Sequence, residues 1–236
     1  MDTQTRHALK HDRFVDTTTT ALDWAQENRG LVIRYGVLIL VAIAIVAAAI
    51  VTYNVRNQHA EAALSRALNI YTSPLLQPGE PANLQKGSYP TAAARAKAAH
   101  PLFEKIANTY SWLHAGEDAR YFAGLTDLQM NDNSAAEKEL KQAAKAHDRN
   151  IAALARMALA SLYIQTGRGS EAVSLYQKLI NHPTTTVPAS AAQLALAQYY
   201  EKNNPAQARQ ILAKVEDQNK DNFAGQIAQS ELAKLQ

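Results

Sequence analysis

Between Arg34 and Arg56 the chain runs through 21 residues, Tyr35–Val55, without one charged side chain. A helix rises about 1.5 Å per residue, so roughly 20 residues cross the ~30 Å hydrocarbon core of a bilayer. The stretch has no polar stripe, whereas a core helix of a small water-soluble domain turns one face to solvent. A cleaved secretory signal has an apolar segment of about 7–15 residues near the start of the chain. Here the run is longer and begins later, and the TYNVRNQ that follows holds no small-x-small cleavage site. The expected layout is therefore a polar tail over 1–34, a single transmembrane helix over 35–55, a membrane-proximal helix and Pro-rich loop over 56–90, and one soluble domain over 91–236.

Orientation is set by size rather than charge. Arg29 and Arg34 before the run are matched by Arg56 and Arg66 after it, so the positive-inside rule is a draw. A short tail ahead of a large carboxyl-terminal domain is the signal-anchor arrangement, with the tail cytoplasmic and the domain outside. In the tail, Asp16 is expected to cap a short helix over Thr17–Asn28 carrying Leu22, Trp24 and Ala25.

The rest of the chain reads as all-α. It holds 45 alanines against 9 glycines and 8 prolines, and alanine is the best helix former and small enough for close helix packing. Period-two runs of β-branched and aromatic residues are missing outside the apolar stretch, which argues against sheets. Cysteine is absent, which removes disulfides, thiolate nucleophiles and cysteine-based zinc sites. The 24 basic and 21 acidic side chains leave a formal charge of +3, too slight and too scattered for a nucleic-acid footprint.

No catalytic set stands out. His7 and His11 share a helical spacing but lack a third ligand, and His114-x-x-Glu117 lacks the second histidine of a metalloprotease helix. Asp127 reads as a surface carboxylate or a member of an ion pair, with a buried acid of shifted pKa as the alternative. Phosphate-binding, dinucleotide and nucleophile-elbow patterns are missing. The expectation is a non-enzymatic protein with no metal, no cofactor and no small-molecule substrate.

What does stand out is a period. Asn57–Thr72 is helical in pattern and stops at Ser73-Pro74, and Pro74–Pro90 is a long loop. From Thr91 a small-large-apolar signature returns every 36 or 37 residues: Ala99-x3-Phe103-x2-Ile106, Ala136-x3-Leu140-x2-Ala143, Ala172-x3-Tyr176-x2-Leu179 and Ala208-x3-Leu212-x2-Val215. Between these lie helices with a small residue at a matching point, Gly124, Ala160 and Ala197. Turns are expected at Asn131–Asn133, Gly167–Gly169 and Asn203–Pro205. Ser134 with Glu137 reads as a capping box, Asn204-Pro205 as an N-cap and first helical residue, and Pro188 as the opening of a helix. Pro101 is expected to kink or start the helix leading to Phe103. Asn222–Leu235, with Phe223, Ile227, Ala228 and Leu232 on one face, reads as a cap. Such a period means stacked helical hairpins, each burying its face on its neighbours.

These residues resemble the tetratricopeptide repeat, most clearly in Leu159-Ala160-x2-Tyr163-x3-Gly167-x4-Ala172-x3-Tyr176. The fold class implied is an all-α solenoid of three to four hairpins with a C-terminal capping helix, behind one transmembrane helix. The whole layout is similar to the bacterial YfgM-like family, ancillary subunits of the SecYEG translocon. That resemblance implies a periplasmic domain on a single-pass inner-membrane anchor, with translocon, chaperones or translocating polypeptides as partners. A scaffold for cell-division, cell-wall or outer-membrane assembly machinery is the alternative. In such repeats the first helix of each hairpin faces the groove, which nominates Tyr121, Leu125 and Leu128 in one hairpin and Met157, Ser161, Ile164 and Gln165 in the next. A groove of this make-up suits an apolar or partly unfolded segment.

Overall fold

A computed structural model describes residues 24–76 and 87–235, and the described residues are helical with no strand longer than a single bridge. The chain divides into two compact units, Met1–Val55 and Arg56–Gln236. A helical turn over 24–27 leads into α1, Arg29–Tyr71, whose 43 residues run through the boundary. The expected Asp16 cap and the start of the Thr17–Asn28 helix lie outside the described residues.

In the first unit α1 is apolar on every side. Its most hydrophobic 18-residue window has a mean hydropathy of 2.7, and none of it is buried. Leu38, Leu40, Ile43 and Ile45 are each more than half exposed. This is a helix long and apolar enough to cross a membrane, with no protein surface covering it.

In the second unit the end of α1 is followed, among the described residues, by eight helices: α2 Ala92–Thr109, α3 His114–Gln129, α4 Asn133–Ala143, α5 Arg149–Gln165, α6 Gly169–Asn181, α7 Ala189–Asn203, α8 Pro205–Gln218 and α9 Phe223–Lys234. From α2 onward each helix packs chiefly on its neighbours in sequence, as a solenoid requires. The period is the packing register. All twelve residues of the small-large-apolar signature are buried, with no more than 4% of any one exposed, and they lie on α2, α4, α6 and α8. The matching small residues Ala160 and Ala197 are fully covered, and Gly124 is buried too. A Cβ on Gly124 would stand 2.7 Å from Leu140 Cγ, so this crossing of α3 and α4 needs glycine for its close approach.

Turn chemistry closes the hairpins. Asn131 (φ 61°) and Gly167 (φ 78°) take the left-handed conformation that ends α3 and α5. Asn204 caps α8, accepting from the Gln207 amide, and Pro205 is its first residue. Three expectations are corrected. The cap of α4 is Asp132, whose Oδ1 accepts from the Ala135 amide at 3.0 Å; Ser134 lies inside the helix, and Glu137 is drawn instead to Arg168. Pro101 does not start α2 but stands inside it; the helix opens at Thr91, whose hydroxyl accepts from Ala94 N at 3.0 Å. Phe223, the first residue of α9, is 74% exposed rather than part of the capping face. The ends of the Pro74–Pro90 loop are tied by Leu76 N to Tyr89 O (2.9 Å) and Tyr89 N to Pro74 O (3.1 Å); residues 77–86 lie outside the described part.

Polar ties cross between hairpins. Arg120 on α3 donates to Glu139 Oε2 (2.9 Å) and Gln142 Oε1 (2.7 Å) on α4, and to Ala107 O (3.2 Å) on α2. Arg168 donates to Glu137 Oε2 at 2.7 Å and sits 4.0 Å over the Tyr163 ring.

Gly124→Ala should cost about 1–3 kcal/mol, because Leu140 must move in a closely packed core. Thermal unfolding followed by circular dichroism checks this; an unchanged midpoint would show that Leu140 has room.

Candidate functional site: a cleft between first helices

The first helices of successive hairpins, α5 and α7, leave an open cleft of about 680 Å³ between them. On α5 it is lined by Met157, Ser161, Ile164 and Gln165, on α7 by Ala195, Gln198, Tyr199, Glu201, Lys202 and Asn203, and Tyr176 of α6 contributes from below. Four of the seven residues nominated from sequence therefore share one surface. Their spacing explains why: 157, 161, 164 and 165 follow the i, i+4, i+7, i+8 stripe of one helix face. The opposite stripe of α5, Ala152, Ala155, Leu159 and Leu162, is buried in the core.

Tyr121, Leu125 and Leu128 of α3 are half-buried and do not line this cleft. Tyr121 and Leu128 pack against the core that contains Leu140 and Leu159, and the Tyr121 ring meets Phe122 edge-on at 5.3 Å. Their helical spacing is the same as that of the α5 set, so spacing did not separate groove from inter-repeat core.

The α7 wall was not among the nominated residues, although the period pointed to it. Ser161 and Gln165 advanced by one 37-residue repeat fall on Gln198 and Lys202. These side chains make the cleft more polar than Met, Ile and Tyr alone: amides at Gln165 and Gln198 stand among apolar groups, with Glu201 and Lys202 on the far side. A second cleft of about 440 Å³ shares Ala195, Gln198 and Glu201 and continues to Leu212 of α8 and Ile227, Glu231 and Lys234 of α9. The two clefts adjoin along these α7 residues. One glycine shapes the floor of the α5–α7 cleft. A Cβ on Gly169 would fall 2.0 Å from the Tyr199 hydroxyl oxygen, so Tyr199 rests where only glycine admits it.

Titratable groups cluster elsewhere, between α2 and α3. Asp127 is 2% exposed, which overturns the surface reading and leaves that of a buried acid paired with His100. Its Oδ1 lies 3.3 Å from His100 Nδ1, and that nitrogen also lies 3.0 Å from Thr126 Oγ1. Burial pushes the Asp127 carboxyl up to about 6, with His100 pulling the other way and Asp132, Glu139 and Glu104 adding to the rise. Nε2 of the same ring lies 3.5 Å from Glu104 Oε2, and Thr126 is fully buried with its hydroxyl donating to Ala123 O at 2.7 Å. A nucleophile–base–acid relay needs an open hydroxyl, so the cluster is not arranged as one. Among the described residues no three His, Asp or Glu side chains come together as a metal site.

The family model described as the tetratricopeptide repeat-like domain matches residues 32–179, more than half of the chain. The protein belongs to the tetratricopeptide repeat-like family. The match takes in the apolar part of α1 and ends inside α6, so the α7 side of the cleft lies beyond it. Comparison with curated proteins and with solved structures finds no significant match. A tetratricopeptide-like solenoid is a protein-interaction scaffold, and an exposed cleft along its first helices is the surface such a scaffold offers.

Asp127 binds its proton more tightly folded than unfolded, so its contribution to stability falls as pH rises from about 4 through about 6. Asp118, also raised to about 6, chiefly by burial and then by the charge of Asp148, acts in the same direction. Asp127→Asn should therefore narrow the difference in melting temperature between pH 4.5 and pH 7; an unchanged difference would place the titration elsewhere. Gly169→Ala displaces only the tip of the Tyr199 ring. It should leave the melting temperature nearly unchanged while reshaping the cleft, which a crystal structure of the variant would reveal.

Proposed function

We propose that this protein is a membrane-tethered adaptor of the bacterial envelope that holds apolar, extended segments of other polypeptides in the α5–α7 cleft. The single observation behind the reading is that cleft, an open surface mixing apolar groups with amides on a scaffold of the tetratricopeptide repeat-like family. Met157, Ile164 and Tyr199 offer apolar contact, and Gln165 and Gln198 offer donors and acceptors matched to a peptide backbone. The α1 helix serves as the anchor, with residues 35–55 in the bilayer, the tail cytoplasmic and the repeats periplasmic in the inner membrane.

The similarity to the YfgM-like family supports a place beside the translocon and its periplasmic chaperones. A tether makes biochemical sense for a weak groove. Fixing it at the membrane raises its effective concentration toward segments emerging there, without requiring tight contacts.

Two experiments test this reading. A photo-crosslinking amino acid at Gln165 or Gln198 of the full chain in cells should capture translocon components, chaperones or secretory polypeptides. Crosslinks confined to cell-wall or outer-membrane assembly proteins would favour a scaffold there instead. Ile164→Asp places a charge on the apolar wall and should weaken those crosslinks at least about tenfold, equivalent to roughly 1.4 kcal/mol. A reporter fused after Gln236 should be active only outside the cytoplasm; activity only inside would invert the topology.

A further inference from the structure

Glu201 stands in both of the clefts that α7 borders. It occupies the place at which the repeat puts Ile164 on α5, since Ile164 advanced by 37 residues falls on Glu201. The α5 wall is therefore apolar where the α7 wall carries a charge. Glu201 is half-buried, and among the described residues its carboxylate has neither an ion pair nor a hydrogen bond. The other charged groups of the two clefts do not neutralise it. Glu231, in the cleft that reaches α9, is taken up by Lys234, whose Nζ lies 2.7 Å from Glu231 Oε1. Lys202 is exposed and lines the α5–α7 cleft; adjacent side chains on a helix do not face each other, so it does not turn to Glu201.

Around this unpaired carboxylate the surfaces are apolar, with Met157 and Ile164 in the first cleft and Leu194, Leu212 and Ile227 in the second. A charge in such a setting acts by difference. A uniformly apolar segment laid over Glu201 would take its carboxylate out of water with nothing in return. A lysine or arginine at that point of the segment supplies the counter-charge. Its methylene stem is itself apolar and can lie along Leu194 and Ala195 while the head reaches Glu201.

We propose that the occupant of these clefts is an extended polypeptide segment in which one lysine or arginine stands between apolar residues, and that Glu201 selects it by pairing with that cation. The proposal rests on the α5–α7 cleft being a peptide-holding surface, and adds the charge of the segment held. Amides at Gln165 and Gln198 meet a backbone whatever its side chains, so Glu201 is the group that gives the groove a preference.

The test uses the full chain in nanodiscs of phosphatidylcholine, whose surface has no net charge to attract a cationic probe. Three short fluorescent peptides of alternating leucine and serine differ only at the centre, which is lysine, glutamine or glutamate. Anisotropy titrations should rank them in that order, with a step of about threefold to fivefold from lysine to glutamine. Glu201→Gln should make the lysine and glutamine peptides equal, and Glu201→Lys should put the glutamate peptide first. Ile164→Asn, on the opposite wall, should weaken all three alike, which locates them in this cleft. If none of the three binds the wild-type chain, or if Ile164→Asn weakens none, the peptide-holding cleft is overturned and the selection with it. If all three bind equally and all respond to Ile164→Asn, the cleft stands and selection by Glu201 is overturned. A preference for the glutamate peptide also overturns it and assigns the selecting charge to Lys202. A lysine preference that survives Glu201→Gln overturns it by placing the cation elsewhere.

Discussion

Close approach of helix backbones at small residues is the constraint on which the rest of this structure depends. Ala99, Ala136, Ala172 and Ala208 are fully buried, and each stands one turn before a large side chain, Phe103, Leu140, Tyr176 or Leu212, that is equally covered. The small residue lets a neighbouring helix come near, and the large one fills the space opened beside it. Alanine buries little apolar area, so its contribution comes through the contacts its neighbours then make at short range. At Gly124 the demand is extreme, because Leu140 occupies the volume a methyl group would need.

The first helices inherit their position from this register, and so does the cleft. The α5 face containing Leu159 and Leu162 is held down in the core, which leaves Met157, Ser161, Ile164 and Gln165 pointing out beside α7. Polar ties then fix the rotation of one hairpin on the next. Arg168 spans from the α5–α6 turn to Glu137 on α4 while covering the Tyr163 ring, and Glu137 is held down to about 2, first by the Arg168 hydrogen bond and then by that from Lys141. Glu117 on α3 accepts from the backbone amides of His147 and Asp148 just ahead of α5. These links join adjacent repeats only, in keeping with a fold whose cohesion is between neighbours.

A helix whose first part is long and apolar enough to cross a membrane continues into the first hairpin, which gives the chain two kinds of surface on one element. Up to Val55, α1 is apolar all round and uncovered; from Ala60 onward only one stripe, Ala60, Leu64 and Ala67, is buried. The change from uniform to striped hydrophobicity within one unbroken helix marks the change from lipid to protein as the partner expected of it.

The apolar length, the all-helical class, the period and most turns were legible in the residues, because each is a local property: helix propensity, hydrophobic spacing and left-handed turn positions act within a few residues of chain. The cap of α4 was misplaced by two positions, since Asp132 and Ser134 compete locally and the fold drew Glu137 away to Arg168. Which helical faces meet solvent was decided only in three dimensions. The α3 trio Tyr121, Leu125 and Leu128 has the same spacing as the α5 set, yet two of its members pack on the next repeat, and no local pattern tells a groove face from an inter-repeat face. Burial of Asp127 beside His100 likewise joins residues 27 apart in sequence. The chain alone determined its elements and their repeat; the tertiary packing decided which surfaces were left uncovered, because exposure depends on what the neighbouring helix brings.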